Sequence, residues 1–177
     1  AALAAAHRVL RSLGVDGALV DLGGQILALG DADGESGWPV SVAHPLDRHT
    51  PVLSVRLRNA SMATSGNSER GLQVGEARLG HLLDPRTGRP APDWGSVTVV
   101  SADALEADIL STALYVLGPE AGMALARTLP DTGVLFLVPT GEGLDARWNP
   151  AMERWLGAAP PTATVGLQNL IRTGTTS

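Results

Sequence analysis

The 177-residue chain contains no cysteine and no lysine, and only one phenylalanine and one tyrosine. Without cysteine there is no thiol nucleophile, no disulfide and no thiolate metal site. Without lysine there is no P-loop lysine, no Schiff base and no Ser-x-x-Lys nucleophile. A metal held by this chain must be bound by oxygen or imidazole, and carboxylate with hydroxyl ligands points to a hard ion such as Mg2+. The net charge is -5 with arginines scattered among acids, so no basic stripe meets a phosphate backbone and nucleic acid is not an expected partner. No apolar run approaches the roughly 20 residues of a membrane helix. The alanine-rich residues 1–6 follow no basic region and precede no cleavage pattern, so they do not read as a signal peptide.

What remains is a globular composition, 44% hydrophobic and 18% charged, in a length that suits one domain. Residues 2–13 place Leu3, Ala6, Val9, Leu10 and Leu13 on one helical face, with Gly14 as a C-terminal cap. Residues 15–22 and 25–29 read as two strands joined at Gly23-Gly24, and residues 30–37 as a loop. Residues 39–43 and 51–58 read as further strands, the second alternating Leu53, Val55 and Leu57 with polar neighbours. Residues 77–83 and 97–101 are also expected as strands. Asp103 with Glu106 resembles a capping box opening a helix that runs to Leu117, where Gly118-Pro119 stops it. A second helix runs from Pro119 to about residue 129, a strand covers 134–138, and Asn149-Pro150 opens a short helix carrying Trp155. Strands and helices in irregular order favour an α+β domain with a mixed or antiparallel sheet and packed helices. The domain is expected over residues 1–157, and residues 158–177 as a loosely ordered tail.

Four segments carry chemistry, each beside a plainer explanation. Gly23-Gly24 serves as a turn or as a close backbone approach to a planar ligand or phosphate. Thr64, Ser65, Gly66 and Asn67 lie in a run of small residues and donors, read as a nucleotide-binding loop or a solvated turn. His81, Asp84, Arg86, Thr87 and Gly88 bring an imidazole, a carboxylate, a guanidinium and a hydroxyl around a rigid turn, which Asp84 could simply organise. Asp108 stands mid-helix among apolar residues with Thr112 one turn later on the same face. The pair is either the wet stripe of an amphipathic helix or two oxygen ligands of a hard metal. A serine hydrolase built on Ser65, His81 and Asp84 lacks the Gly-x-Ser-x-Gly elbow.

Taken in order, Ala18 to Gln25, Ala63 to Asn67, His81 to Pro90 and Ala107 to Gly118 resemble the flavin transferase family, the thiamine-biosynthesis lipoproteins of the ApbE type. The resemblance covers residues 1–157, and the N-terminal half of the family fold lies outside it. It implies transfer of FMN from FAD to a threonine of an acceptor flavoprotein through a phosphodiester bond, with release of AMP. The alternatives are an FAD pyrophosphatase yielding FMN and AMP, or a flavin-binding module without catalysis. It further implies Mg2+ held by Asp108 and Thr112 with a backbone oxygen from the missing half. Flavin contacts would come from Gly23, Gly24, Gln25, Thr64, Ser65, Gly66, Asn67, Thr87 and Gly88. His81 would act as base, because imidazole is the side chain that exchanges protons near neutral pH. Asp84 and Arg86 would orient it or the phosphates. Gln25 departs from the aspartate or asparagine more usual after the paired glycines. Many members are exported and anchored by lipid.

Overall fold

A computed structural model describes residues 2–67, 71–74, 77–141 and 143–157. Its frame is a six-stranded sheet in the order β1 (Ala18–Leu22), β2 (Gln25–Leu29), β5 (Ala60–Gly66), β10 (Ser96–Ser101), β11 (Gly133–Thr140) and β12 (Gly143–Trp148). Every neighbouring pair in it is antiparallel. A two-stranded hairpin, β3 (Trp38–His44) with β4 (Asp47–Leu57), covers one face. Three helices cover the other: α1 (Ala2–Ser12), α2 (Ala104–Leu117) and α3 (Pro119–Ala126). Two small hairpins, β6 (Gly71–Val74) with β7 (Ala77–Gly80) and β8 (Leu83–Asp84) with β9 (Arg89–Pro90), lie between β5 and β10 in the chain. This is the α+β single domain anticipated.

Side chains alternate across a strand, so covering both faces divides the core in two. Toward the hairpin, Val40, Val42, Val55 and Leu57 pack on Ala28, Met62, Val100 and Leu135. Toward the helices, Ala63, Val97, Val99, Val134 and Phe136 meet Ala107, Leu114, Tyr115 and Met123. At the sheet edge Leu3 of α1 joins Leu27 and Ala104.

The largest departure from the sequence reading is at residues 61–67. Expected as a loop or turn, they lie almost wholly within β5, a central strand whose residues are nearly all buried. Its small polar side chains are satisfied by neighbours rather than solvent. The Ser61 hydroxyl donates to the Ile26 carbonyl at 2.7 Å, and Thr64 and Thr98 share a hydrogen bond of 2.9 Å. Strand β12 was not foreseen, because Gly143 to Trp148 mixes charged and apolar residues at the sheet edge. The expected strand at 77–83 divides into β7 and β8, and α3 ends three residues early at Ala126. The short helix after Asn149 is a 3-10 turn over Pro150–Arg154, with Trp155 just beyond its end. The tail at 158–177 lies outside the described residues.

Asp103 caps α2 as expected, accepting from the backbone amides of Leu105 at 2.7 Å and Glu106 at 3.4 Å. The return half of the capping box is absent. The Ser101 hydroxyl takes the Asp103 amide at 3.1 Å and donates to Glu106, so the serine stands between the two ends.

Asn149 fastens the helical layer to the sheet. It is 1% exposed; its Oδ1 accepts from the Val134 amide at 2.9 Å, and its Nδ2 donates to the carbonyls of Ala126 and Thr132, both at 2.8 Å. Truncation to alanine strands these three groups without water, which should cost about 3 kcal/mol of stability in chemical denaturation. Asn149→Asp keeps the acceptor but turns a carboxylate toward two carbonyls, and it should destabilise at least as much. A midpoint unchanged in both variants would contradict this role.

Candidate functional site

Helix α2 is the element on which the four motifs meet. It is apolar around most of its circumference: Ala104, Ala107, Ser111, Leu114 and Tyr115 are buried against the sheet, while Leu105 and Ile109 are 44% and 57% exposed. The exposed side also carries Asp108 and Thr112. Asp108 therefore does not face a core, and water solvates its carboxylate on this surface. The surface is mixed, with Glu106, Asp108 and Thr112 exposed beside Leu105 and Ile109.

The Gly23-Gly24 turn joins β1 to β2 as a two-residue connection, with both φ angles positive at 64° and 91°. That conformation favours glycine at each position and suits the twist of a tight hairpin. The Asp21 carboxylate accepts from the Gly24 amide at 2.9 Å. Gln25, next in line, donates its carboxamide to the carbonyl of Ala104 in the first turn of α2, which ties the glycine turn to the helix.

Alternation along β5 separates the second motif. Ser65 and Asn67 lie on the helix side with Ser61 and Ala63, whereas Thr64 and Gly66 lie on the hairpin side, where Thr64 bonds Thr98. On the helix side the hydroxyls of Ser65 and Ser111 are 3.0 Å apart and buried. Ser111 Oγ also donates to the Asp108 carbonyl at 3.0 Å. Asn67 packs against Gly80, where an added Cβ would collide with the Asn67 carboxamide. This contact sets the second motif beside the third, because His81 follows Gly80 directly.

In the third motif Asp84 organises the turn. Its carbonyl accepts from the amides of Thr87 at 3.1 Å and Gly88 at 2.8 Å, and its carboxylate grips Arg86 through two guanidinium contacts of 2.9 Å. The guanidinium, followed by the Arg86 amide, holds the Asp84 carboxyl below its ordinary range. Gly88 takes a positive φ of 67° to close the turn. His81, Arg86, Thr87 and Gly88 are exposed. Arg86 also reaches the Val116 carbonyl at 3.5 Å, and Leu82 packs into the core beneath α2, so the loop rests on the helix's C-terminal half.

An aromatic clamp absent from the sequence reading secures the same half of α2. Trp94 stacks on Tyr115 at 4.8 Å between ring centres, and its indole donates to the Tyr115 carbonyl at 3.1 Å. The Tyr115 hydroxyl donates to the Pro92 carbonyl at 3.2 Å. Burial, with Asp93 close by, pushes the Tyr115 phenol well above its ordinary pKa, so it remains a neutral donor. The clamp and Ser111 left little trace in sequence, because their partners lie 21 to 46 residues away.

Asp108 and Thr112 offer a carboxylate and a hydroxyl one turn apart on one face, a donor pair suited to a hard divalent ion. Among the described residues no group of three or more His, Cys, Asp or Glu side chains gathers around a point. Hydroxyls, carbonyls and water make up the remainder in ordinary Mg2+ sites.

The ApbE family model matches residues 1–136. An FAD:protein FMN transferase of Treponema pallidum is 38% identical over 142 residues, which cover 75% of this chain and 39% of that protein. Among solved structures, the apo flavinyl transferase ApbE of Pseudomonas stutzeri aligns with a TM-score of 0.68 at 35% identity, covering 85% of this chain and 47% of that one. The ApbE protein of Thermotoga maritima aligns at 0.75 and 29% identity, covering 86% and 49%. The chain thus spans less than half the length of the relatives it matches, and it belongs to the ApbE family of flavin transferases.

Proposed function

We propose that this segment forms one half of an enzyme that moves FMN from FAD to a threonine hydroxyl of an acceptor protein and releases AMP. The observation that carries the reading is the convergence on α2: Gln25 at its first turn, Ser65 at its centre, and the His81 to Gly88 loop at its far half. The complete enzyme is this segment joined to the remaining length that its relatives possess.

In the proposed reaction the threonine oxygen attacks the FMN-side phosphorus of FAD. A new P–O bond forms there, the bond to the bridging oxygen of the pyrophosphate breaks, and AMP departs with the bonding electrons. A ring nitrogen of His81 accepts the hydroxyl proton, which its exposed position next to Gly80 allows. Arg86, already fixed by Asp84, presents positive charge to the phosphates without further ordering of its side chain. The glycine turn and the C-terminal end of β5 would receive the nucleotide, with Gln25 and Asn67 on the helix side of the sheet. Thr64 faces away and serves the sheet through Thr98. Bound at Asp108 and Thr112, Mg2+ would neutralise charge that builds on the pyrophosphate. A ligand from the other half would complete that site.

His81→Ala should slow transfer about 10²-fold or more while sparing FAD affinity, as loss of a general base does. An unchanged rate across neutral pH would reduce His81 to a structural residue.

Asp108→Asn preserves size and helix but removes the charge that attracts the ion. Because the side chain is exposed, the variant should fold with an unchanged melting temperature, bind FAD, and fail to transfer FMN at ordinary magnesium concentrations. Excess magnesium should restore part of the rate. A transfer assay on an acceptor peptide, run beside thermal unfolding, checks this, and equal activity at equal magnesium would sink the metal assignment.

A further inference from the structure

Ser111 is 1% exposed and Ser65 9%, so their hydroxyls meet where little water reaches. A serine hydroxyl carries one hydrogen. Ser111 commits its own to the carbonyl of Asp108, 3.0 Å away. With the hydrogen so directed, the 3.0 Å contact between the two serines runs from the Ser65 hydroxyl to the Ser111 oxygen. The result is a directed relay, from strand β5 through Ser111 to the backbone of Asp108.

That backbone carbonyl belongs to the turn of α2 that displays both Asp108 and Thr112, with Ser111 beside them on the flank turned to the sheet. Apolar contacts alone fix a helix's rotation loosely, since neighbouring side chains of similar size exchange places at small cost. This is acute in α2, where Leu105 and Ile109 on the open side differ little in character from Leu114 on the covered side. A buried hydrogen bond has one geometry. Slipping out of it leaves an unpaired hydroxyl away from water, at a cost of about 1–3 kcal/mol. The Ser65–Ser111 bond therefore sets how α2 is turned on the strand, and the bond within the helix sets the turn at position 108.

We infer that Ser65 and Ser111 are positioning residues that set the placement of the Asp108 and Thr112 ligand pair relative to strand β5. Ser65, which its motif would make a flavin contact, acts through Ser111 instead. The inference rests on the proposed metal site, and it specifies an order of effects. Ser111→Ala removes both bonds of the relay. Ser65→Ala removes one and leaves Ser111 still bonded to the Asp108 carbonyl. The two changes act on one chain of bonds, so the double variant should be no worse than Ser111→Ala alone.

The test uses the complete enzyme, with Mn2+ as a paramagnetic probe whose dissociation constant is read by electron paramagnetic resonance without turnover. Ser111→Ala should weaken Mn2+ binding about tenfold, as loss of a supporting hydrogen bond behind a ligand does. The magnesium dependence of transfer should move by the same factor, while the KM for FAD and the rate at saturating magnesium stay within about twofold. Ser65→Ala should move both curves the same way by less. Ser111→Thr and Ser111→Val add the same bulk, and only threonine retains the hydroxyl, so Mn2+ affinity should be stronger in the threonine variant. Equal Mn2+ affinity in Ser111→Ala and the parent, with a lowered melting temperature, would make the pair simple core packing and overturn the inference. An Asp108→Asn enzyme that binds Mn2+ as tightly as the parent would instead overturn the metal site itself.

Discussion

Everything proposed for this segment depends on how α2 lies on strand β5. The strand is built from alanine, serine, threonine, methionine and glycine because both its faces are covered, by the hairpin on one side and the helix on the other. Ala63 and Ala107 let the two backbones approach, and Ser65 with Ser111 fixes the helix's setting. Larger residues on β5 would lift α2 away from the sheet and carry Asp108 and Thr112 with it. The two other motifs are fastened to this same helix, by Gln25 at its start and by Leu82 and Arg86 near its end, and Trp94 stacks against Tyr115 beside the latter. Displacing α2 would disperse the whole candidate site.

One surface of this arrangement has an unusual character. Around Asp108 and Thr112 stand Leu105 and Ile109, large apolar side chains in the open, and Leu22 beside the glycine turn is likewise 53% exposed. A carboxylate and a hydroxyl set among apolar groups make a poor solvent-facing helix stripe and a good wall for a charged ligand. Charge attraction strengthens as the local dielectric falls, so the apolar rim would favour tighter ion pairing once water is displaced.

Local signals were legible in the sequence and non-local ones were not. Asp103, Gly118-Pro119 and Gly23-Gly24 each dictate backbone geometry within a few residues, and each marks a boundary where expected. The alternation of Leu53, Val55 and Leu57 survives because only one face of β4 meets the core. Strand β5 resembles a loop in sequence because burial on both faces erases alternation and leaves small polar residues that look solvated. In the site, the one-turn spacing of Asp108 and Thr112 was legible, since it follows from helix geometry. The outward aim of Asp108 was not, because α2 is apolar on both sides. Nothing in the sequence distinguishes Ser111 from any other serine in a helix. Its partner on β5 lies 46 residues earlier, and only the fold brings them together.

The central claim is that a flavin phosphoryl group passes to a protein hydroxyl rather than to water. Intact-mass analysis of an acceptor protein, incubated with FAD, magnesium and the complete enzyme and then denatured, addresses this directly. Transfer predicts an acceptor heavier by one FMN less one water, with the flavin localised to a threonine and AMP released in equal amount. An acceptor of unchanged mass, with free FMN and AMP accumulating, would show hydrolysis of FAD and contradict the account.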